Sequence, residues 1–172
     1  MSRLYIVKVS ESVHRVVHLE DSIECDAGLL PILSPERMAE LLAKELEDLE
    51  TGLEIEVDPA TAKLRVRLSG SKEIDVQRQK TVTADPEQLD AEPLRARLRA
   101  SAERGAAQQE ATLQRQLTSE LEKQLADIRP ELDRATNRAT IAALKARAAE
   151  LGEIREVHED PGGENVVIRV KV

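Results

Sequence analysis

Residues 53–68 read Leu-Glu-Ile-Glu-Val-Asp-Pro-Ala-Thr-Ala-Lys-Leu-Arg-Val-Arg-Leu, and they decide the fold. Apolar and charged residues alternate on both sides of Asp58-Pro59-Ala60-Thr61, a cluster of turn formers, so the stretch reads as a β-hairpin. Folding it about that turn sets Leu53 opposite Leu68, Ile55 opposite Val66 and Val57 opposite Leu64 on one face. The other face then pairs Glu54 with Arg67, Glu56 with Arg65 and Asp58 with Lys63, all opposite in charge. Each such pair contributes roughly 0.2–1 kcal/mol at best. The register is held more firmly by the apolar face, because a one-residue slip would turn every leucine to solvent.

A helix is expected ahead of this hairpin. Ser34-Pro35-Glu36 supplies a cap residue, a proline in the first turn and an acid near the positive helix end. Met38, Leu42, Leu46 and Leu49 follow on one face, with Leu41 beside them. Further upstream, residues 4–9 and 12–20 are rich in β-branched residues and predict an opening hairpin around Ser10-Glu11. Residues 21–33 predict a loop that tucks Leu29, Leu30, Ile32 and Leu33 into the core. Residues 73–83 alternate weakly and predict an edge strand.

The helix-plus-hairpin pattern of residues 36–69 recurs 102 positions later, in residues 138–171. Leu42, Leu49, Asp58, Pro59 and Arg67 meet Leu144, Leu151, Asp160, Pro161 and Arg169. The second hairpin is expected to turn through Asp160-Pro161-Gly162-Gly163, with Val157 opposite Ile168 and Glu156 opposite Arg169. It is a degraded copy, since Arg155 occupies the slot of Leu53 and Glu159 that of Val57. Gly152 is placed to end the preceding helix in left-handed geometry.

Between the copies, Glu92 to Ile128 contains no proline except Pro93 and only one glycine, Gly105, so it predicts a helix about 55 Å long at about 1.5 Å per residue. Its apolar side chains are Leu94 and Leu98, then Leu113, Leu117, Leu121, Leu125 and Ile128. These leucines step by four, which is not a heptad. A stripe so narrow needs a cover. One reading makes it an internal core face; the other makes Leu113, Leu117, Leu121, Leu125 and Ile128 a partner-binding seam on a coiled-coil-like insertion. Either the segment folds back near Gly105 or the same helix of another copy, or of a partner, covers it, and a restart or kink is expected at Pro130.

The chain has 33 acidic and 25 basic residues, a net charge of −8, and lacks Phe and Trp, with Tyr5 as its lone aromatic. Aliphatic side chains must therefore build the core. The acidic balance argues against nucleic acid as a partner, and the Arg95, Arg97 and Arg99 run reads as a solvated helix face. Cys25 is single, so no internal disulfide forms and a reducing compartment is expected. The opening Met-Ser-Arg-Leu-Tyr lacks a signal-peptide pattern and no apolar run reaches membrane-spanning length. A cytoplasmic location without membrane insertion is the expectation.

Chemistry-bearing clusters are sparse. His14 and His18 sit four apart in a Val-rich strand context, which separates them by about 13 Å, too far to share a zinc about 2 Å from each nitrogen. A metal-binding or hydrolytic module using His14, His18 and His158, and a small-molecule or nucleotide sensor, are the alternatives to an adaptor. No glycine-rich phosphate loop is present. No cofactor and no catalytic or metal-binding residues are expected.

Three segments carry a family resemblance: residues 1–13 (Met-Ser-Arg-Leu-Tyr-Ile-Val-Lys-Val-Ser-Glu-Ser-Val), residues 29–42 (Leu-Leu-Pro-Ile-Leu-Ser-Pro-Glu-Arg-Met-Ala-Glu-Leu-Leu) and residues 151–161 (Leu-Gly-Glu-Ile-Arg-Glu-Val-His-Glu-Asp-Pro). They resemble a small accessory family of bacterial ternary systems. Those systems combine an FtsH-type AAA+ ATPase, a von Willebrand factor A protein and a MoxR-type AAA+ ATPase, and are associated with conflict or stress response. The resemblance implies a non-enzymatic component that works beside ATPases, and carries no catalytic residue with it.

The expected architecture is α+β: an antiparallel sheet of hairpins with two packed helices in a pseudo-repeated α-β-β unit, and a long helical insertion. Residues 1–84 form the N-terminal sheet and helix, 85–135 the insertion, and 136–172 a helix and hairpin that complete the sheet. The expected function is an adaptor or assembly protein that binds itself, as a dimer or larger oligomer, or the AAA+ ATPase-system proteins.

Overall fold

A computed structural model describes residues 5–47, 49–85, 90–160 and 166–171. In chain order the elements are β1 (Tyr5–Cys25), α1 (Pro35–Leu46), β2 (Glu54–Val57), β3 (Leu64–Ala84), α2 (Glu92–Leu151), β4 (Glu153–Glu159) and β5 (Val166–Lys171). The class is α+β, as expected. Strands β1, β3 and β2 form one sheet in that order, and β4 pairs with β5 in another.

The β2–β3 hairpin forms in the register read from the sequence: Glu54 opposite Arg67, Ile55 opposite Val66, Glu56 opposite Arg65 and Val57 opposite Leu64. The ion pairs are distributed differently. Arg67 lies 3.8 Å from Glu54 and 3.9 Å from Glu56, while Arg65 turns to β1 and meets Glu24 at 2.5 Å. The turn is closed by Asp58. Its carboxylate accepts from the Ala60 amide at 2.8 Å and from the Thr61 hydroxyl at 2.9 Å. Its carbonyl accepts from the Ala62 amide at 2.7 Å. These bonds to the charged form hold the Asp58 carboxyl below its ordinary value. Ala62 takes φ +55°, a left-handed conformation that strains an L side chain.

Several expectations are corrected. The opening hairpin is a single strand, because Ser10-Glu11 is a poor turn and the alternation never changes phase: Val9, Val13, Val17 and Leu19 all fall on odd positions. Likewise β3 runs through Ser69-Gly70-Ser71, so residues 73–83 continue the hairpin strand. Contacts of His18 with Ser71 and of Glu24 with Arg65 fall as residue number rises on one strand and drops on the other, so β1 and β3 run antiparallel.

The helix is continuous from Glu92 to Leu151, through both Gly105 and Pro130. Pro130 removes one helical hydrogen bond and costs about 3 kcal/mol. Burial of Leu121 before it and of Leu132, Ala135, Ala139 and Ala143 after it offsets that cost. Gly105 is a contact and not a hinge: a Cβ there would lie 3.2 Å from Val76 Cγ1 and 2.8 Å from Arg78.

Finally, the C-terminal hairpin does not complete the first sheet; among the described residues β4 and β5 pair with each other alone. Its register matches the reading, with Val157 opposite Ile168 and Glu156 opposite Arg169, but it shifts between Ile154 and Glu156, beside the misfit Arg155. Gly152 lacks left-handed geometry. Instead, a Cβ there would collide with the Lys171 carbonyl. The Pro161-Gly162-Gly163 part of the predicted turn lies outside the described residues.

The chain divides into two compact units. One comprises Met1–Glu20 and Ser69–Thr118. Its core sets Val17, Leu19, Ile74 and Val76 against Ala102 and Ala106 of α2. Arg15, on the same strand face, binds Glu103 at 2.7 Å and Glu110 at 3.4 Å. The other unit comprises Asp21–Leu68 and Ser119–Val172. There α1 buries Met38, Leu42 and Leu46, and Leu42, Leu46 and Leu64 pack with Leu132, Ala135 and Ala139 of α2. Ser34 occupies the N-cap position in extended geometry, but its hydroxyl makes no cap bond to the helix. The Glu36 carboxyl is held below its ordinary value, first by its own backbone amide and then by the nearby Ser34 hydroxyl. Arg138 bonds Glu45 at 2.6 Å, and Glu150 takes Arg37 at 3.0 Å and Arg147 at 2.7 Å.

Two outcomes test this account of the turn. Ala62→Gly relieves left-handed strain and raises stability by about 1 kcal/mol or less, measured by urea unfolding. The lowered pKa of Asp58 makes its contribution complete above its unfolded value, about pH 4, and lost as pH falls through the folded value. An Asp58→Asn variant is therefore less stable than wild type at neutral pH, and the difference shrinks in acid.

Candidate interaction surfaces

The five residues read as a partner-binding seam are distributed over the chain's own cores. Leu113 and Leu117 pack against the Val17, Ile74 and Ala106 cluster of the first unit. Leu121 is 0 % exposed and packs with Leu53 and Val66 in the second. Leu125 and Ile128 pack against the clusters on either side of Ile55. Leu121 alone is fully buried, while Leu113, Leu117, Leu125 and Ile128 are half-buried against these clusters. The helix does not present them as a bare stripe, because the long strands beneath it supply the cover that the sequence left unassigned.

The histidines fall apart as a constellation. His14 and His18 stand on exposed positions of β1, and the His18 Nδ1 lies 2.8 Å from the Ser71 hydroxyl. His158 stands exposed on β4, in the other unit. No group of three or more His, Cys, Asp or Glu that could hold a metal occurs among the described residues. Cys25 is half-buried against the second unit's core. Burial pushes its thiol up, with Arg129 pulling the other way, so it is a poor nucleophile.

Surface depressions occur in both units among the described residues. In the first unit an open groove of about 450 Å³ is lined by Ile74 and Arg78 of β3 and by Gln108, Thr112 and Gln116 of α2. In the second, a pocket of about 290 Å³ beside the hairpin turn is lined by Glu24, Glu56, Asp58, Lys63 and Arg65. Glu24 and Arg65 pair with each other, Glu56 lies 3.9 Å from Arg67, and Asp58 is engaged in the turn.

The C-terminal hairpin is different in kind. No described residue of β4 or β5 is fully buried, although the two strands carry Ile154, Val157, Val166, Val167, Ile168 and Val170. Val157 is 39 % and Val167 57 % exposed, and Leu151 at the preceding helix end is 58 % exposed. Val157 faces Ile168 and Val167 faces His158, so the two exposed valines lie on opposite faces. An isolated two-stranded hairpin is marginal in water; this one is braced across its strands by Arg169–Glu156 at 2.8 Å and joined to α2 by the Lys145–Glu159 ion pair. The sequence held one signal for this surface: the run Val166-Val167-Ile168 is apolar on both faces of its strand.

The family described as FtsH ternary system domain X5 matches the chain over residues 1–172. No curated protein and no solved structure matches it. No helix among the described residues is long and apolar enough to cross a membrane.

The packing of Leu121 has a direct consequence. Leu121→Ala destabilises the chain by about 2–5 kcal/mol, read by chemical denaturation, and Leu121→Glu prevents folding. A Leu121→Glu protein with wild-type stability would refute the internal placement.

Proposed function

Because the chain belongs to the FtsH ternary system domain X5 family, we propose that it is a non-enzymatic accessory protein of such a system. It acts in the cytoplasm as an adaptor or assembly component and binds one of the system's proteins. The family match over residues 1–172 carries this reading. The contact surface assigned to it is the C-terminal hairpin, where no described strand residue is fully buried and where Val157 on one face and Val167 on the other offer a partner apolar contact. The occupant is a protein of the same ternary system, with the FtsH-type AAA+ ATPase as the first to test.

The experiment is co-expression of the tagged full chain with the FtsH-type, von Willebrand A and MoxR-type components, followed by affinity capture and titration of the one retained. The expected result is retention of one component, with binding weakened at least tenfold by Val157→Lys or by Val167→Lys and with the thermal midpoint of the chain unchanged. Failure to retain any component, or retention that neither substitution affects, would overturn the respective half of the proposal.

A further inference from the structure

Strand β1 ends the sheet order, so along its length one edge is bonded to β3 and the other has no strand beside it among the described residues. Twenty-one residues is a long edge, and such edges template pairing with another strand unless something blunts them. Between Val7 and Leu19, which lie within the first unit, β1 has no proline. Its helix-covered face presents Val7, Val9, Glu11, Val13, Arg15, Val17 and Leu19 in order.

Glu11 is the anomaly on that face. It is half-buried, sits between Val9 and Val13, and makes no ion pair among the described residues. Arg15 has a guanidinium with five donors, of which the bonds to Glu103 and Glu110 use only part.

We propose that a second copy of the chain occupies this edge, the two β1 strands pairing antiparallel about a two-fold axis at Val13. In this register Val13 meets the partner's Val13, Val9 meets the partner's Val17 and Val7 meets the partner's Leu19. Glu11 meets the partner's Arg15, twice by symmetry, as an isologous interface requires. Neighbouring registers are worse. An axis at Ser12 sets Val9 against Arg15, one at His14 sets Glu11 against Val17, and axes at Glu11 or Arg15 set like charges directly opposite, which is destabilising. Axes between residues would place apolar positions of one copy against the polar face of the other. The strand is thus self-complementary about Val13. The outer face in the same register sets Lys8 opposite the partner's His18, Ser10 opposite the partner's Val16 and Ser12 opposite the partner's His14. This inference stands apart from the adaptor reading, since it uses a different surface in the other unit.

The test is site-specific. Cysteines directly opposite in an antiparallel pair lie about 4.5–5.5 Å apart by Cα, within disulfide reach. In full-length protein carrying Cys25→Ser, Val13→Cys is expected to form a covalent dimer on mild oxidation. Val9→Cys in the same background is not, because its two copies lie about 26 Å apart in this register at about 3.3 Å per residue. Sedimentation of the wild-type chain is expected to show a concentration-dependent dimer, weakened at least tenfold by Glu11→Arg. Circular dichroism of Glu11→Arg is expected to match wild type. A wild-type chain that stays monomeric at all concentrations, equal cross-linking at positions 9 and 13, or a dimer indifferent to Glu11→Arg would overturn the proposal.

Discussion

The structure depends on one contact surface: the apolar stripe of α2 lying on the odd positions of β1 and the even positions of β3. With no Phe or Trp in the chain, core area must come from many aliphatic groups of modest size. Fully burying a leucine or valine contributes about 1.5–3 kcal/mol, so a core of this kind needs length. Two 21-residue strands and a 60-residue helix supply it. The small side chains matter as much as the leucines. Ala102 and Ala106 in one unit and Ala135, Ala139 and Ala143 in the other are fully buried. They bring the α2 backbone close to its neighbours, while leucines fill the wider gaps.

Short-range features of the fold were legible, and the failures share a cause. The β2–β3 register followed from charge and apolar alternation around Asp58, because a hairpin is specified by the residues inside it. The C-terminal hairpin register was legible for the same reason, and its shift falls beside Arg155, the residue that broke the repeat. Continuity was misjudged. Ser10-Glu11 and Ser69-Gly70-Ser71 looked like breaks, yet neither changes the phase of alternation, and an unbroken phase is the better indicator of one strand. Pro130 looked like a helix break because its local cost was weighed without the tertiary burial on both sides of it.

The leucine series shows the same limit from the other direction. Leu113 to Ile128 reads as a stripe in need of cover, but what covers it depends on strand lengths that local turn signals do not reveal. Once β1 and β3 are long, Leu113 and Leu117 meet one part of the strands and Leu121, Leu125 and Ile128 another. Exposed apolar side chains lie on β4 and β5, as Val157 and Val167, and also on β1 and the loop after it, as Tyr5, Ile6, Val16 and Leu30. The chain belongs to the FtsH ternary system domain X5 family, as the resemblance of residues 1–13, 29–42 and 151–161 had implied.

The central claim is that α2 lies on the sheet of its own chain. Methyl NOEs in a sample mixing labelled and unlabelled copies measure this directly, because isotope filtering separates contacts within a chain from contacts between chains. The account predicts a strong Leu121–Val66 methyl NOE within one chain, matching their shared cluster with Leu53. A Leu121–Val66 contact seen only between chains, or absent in folded protein, would contradict it.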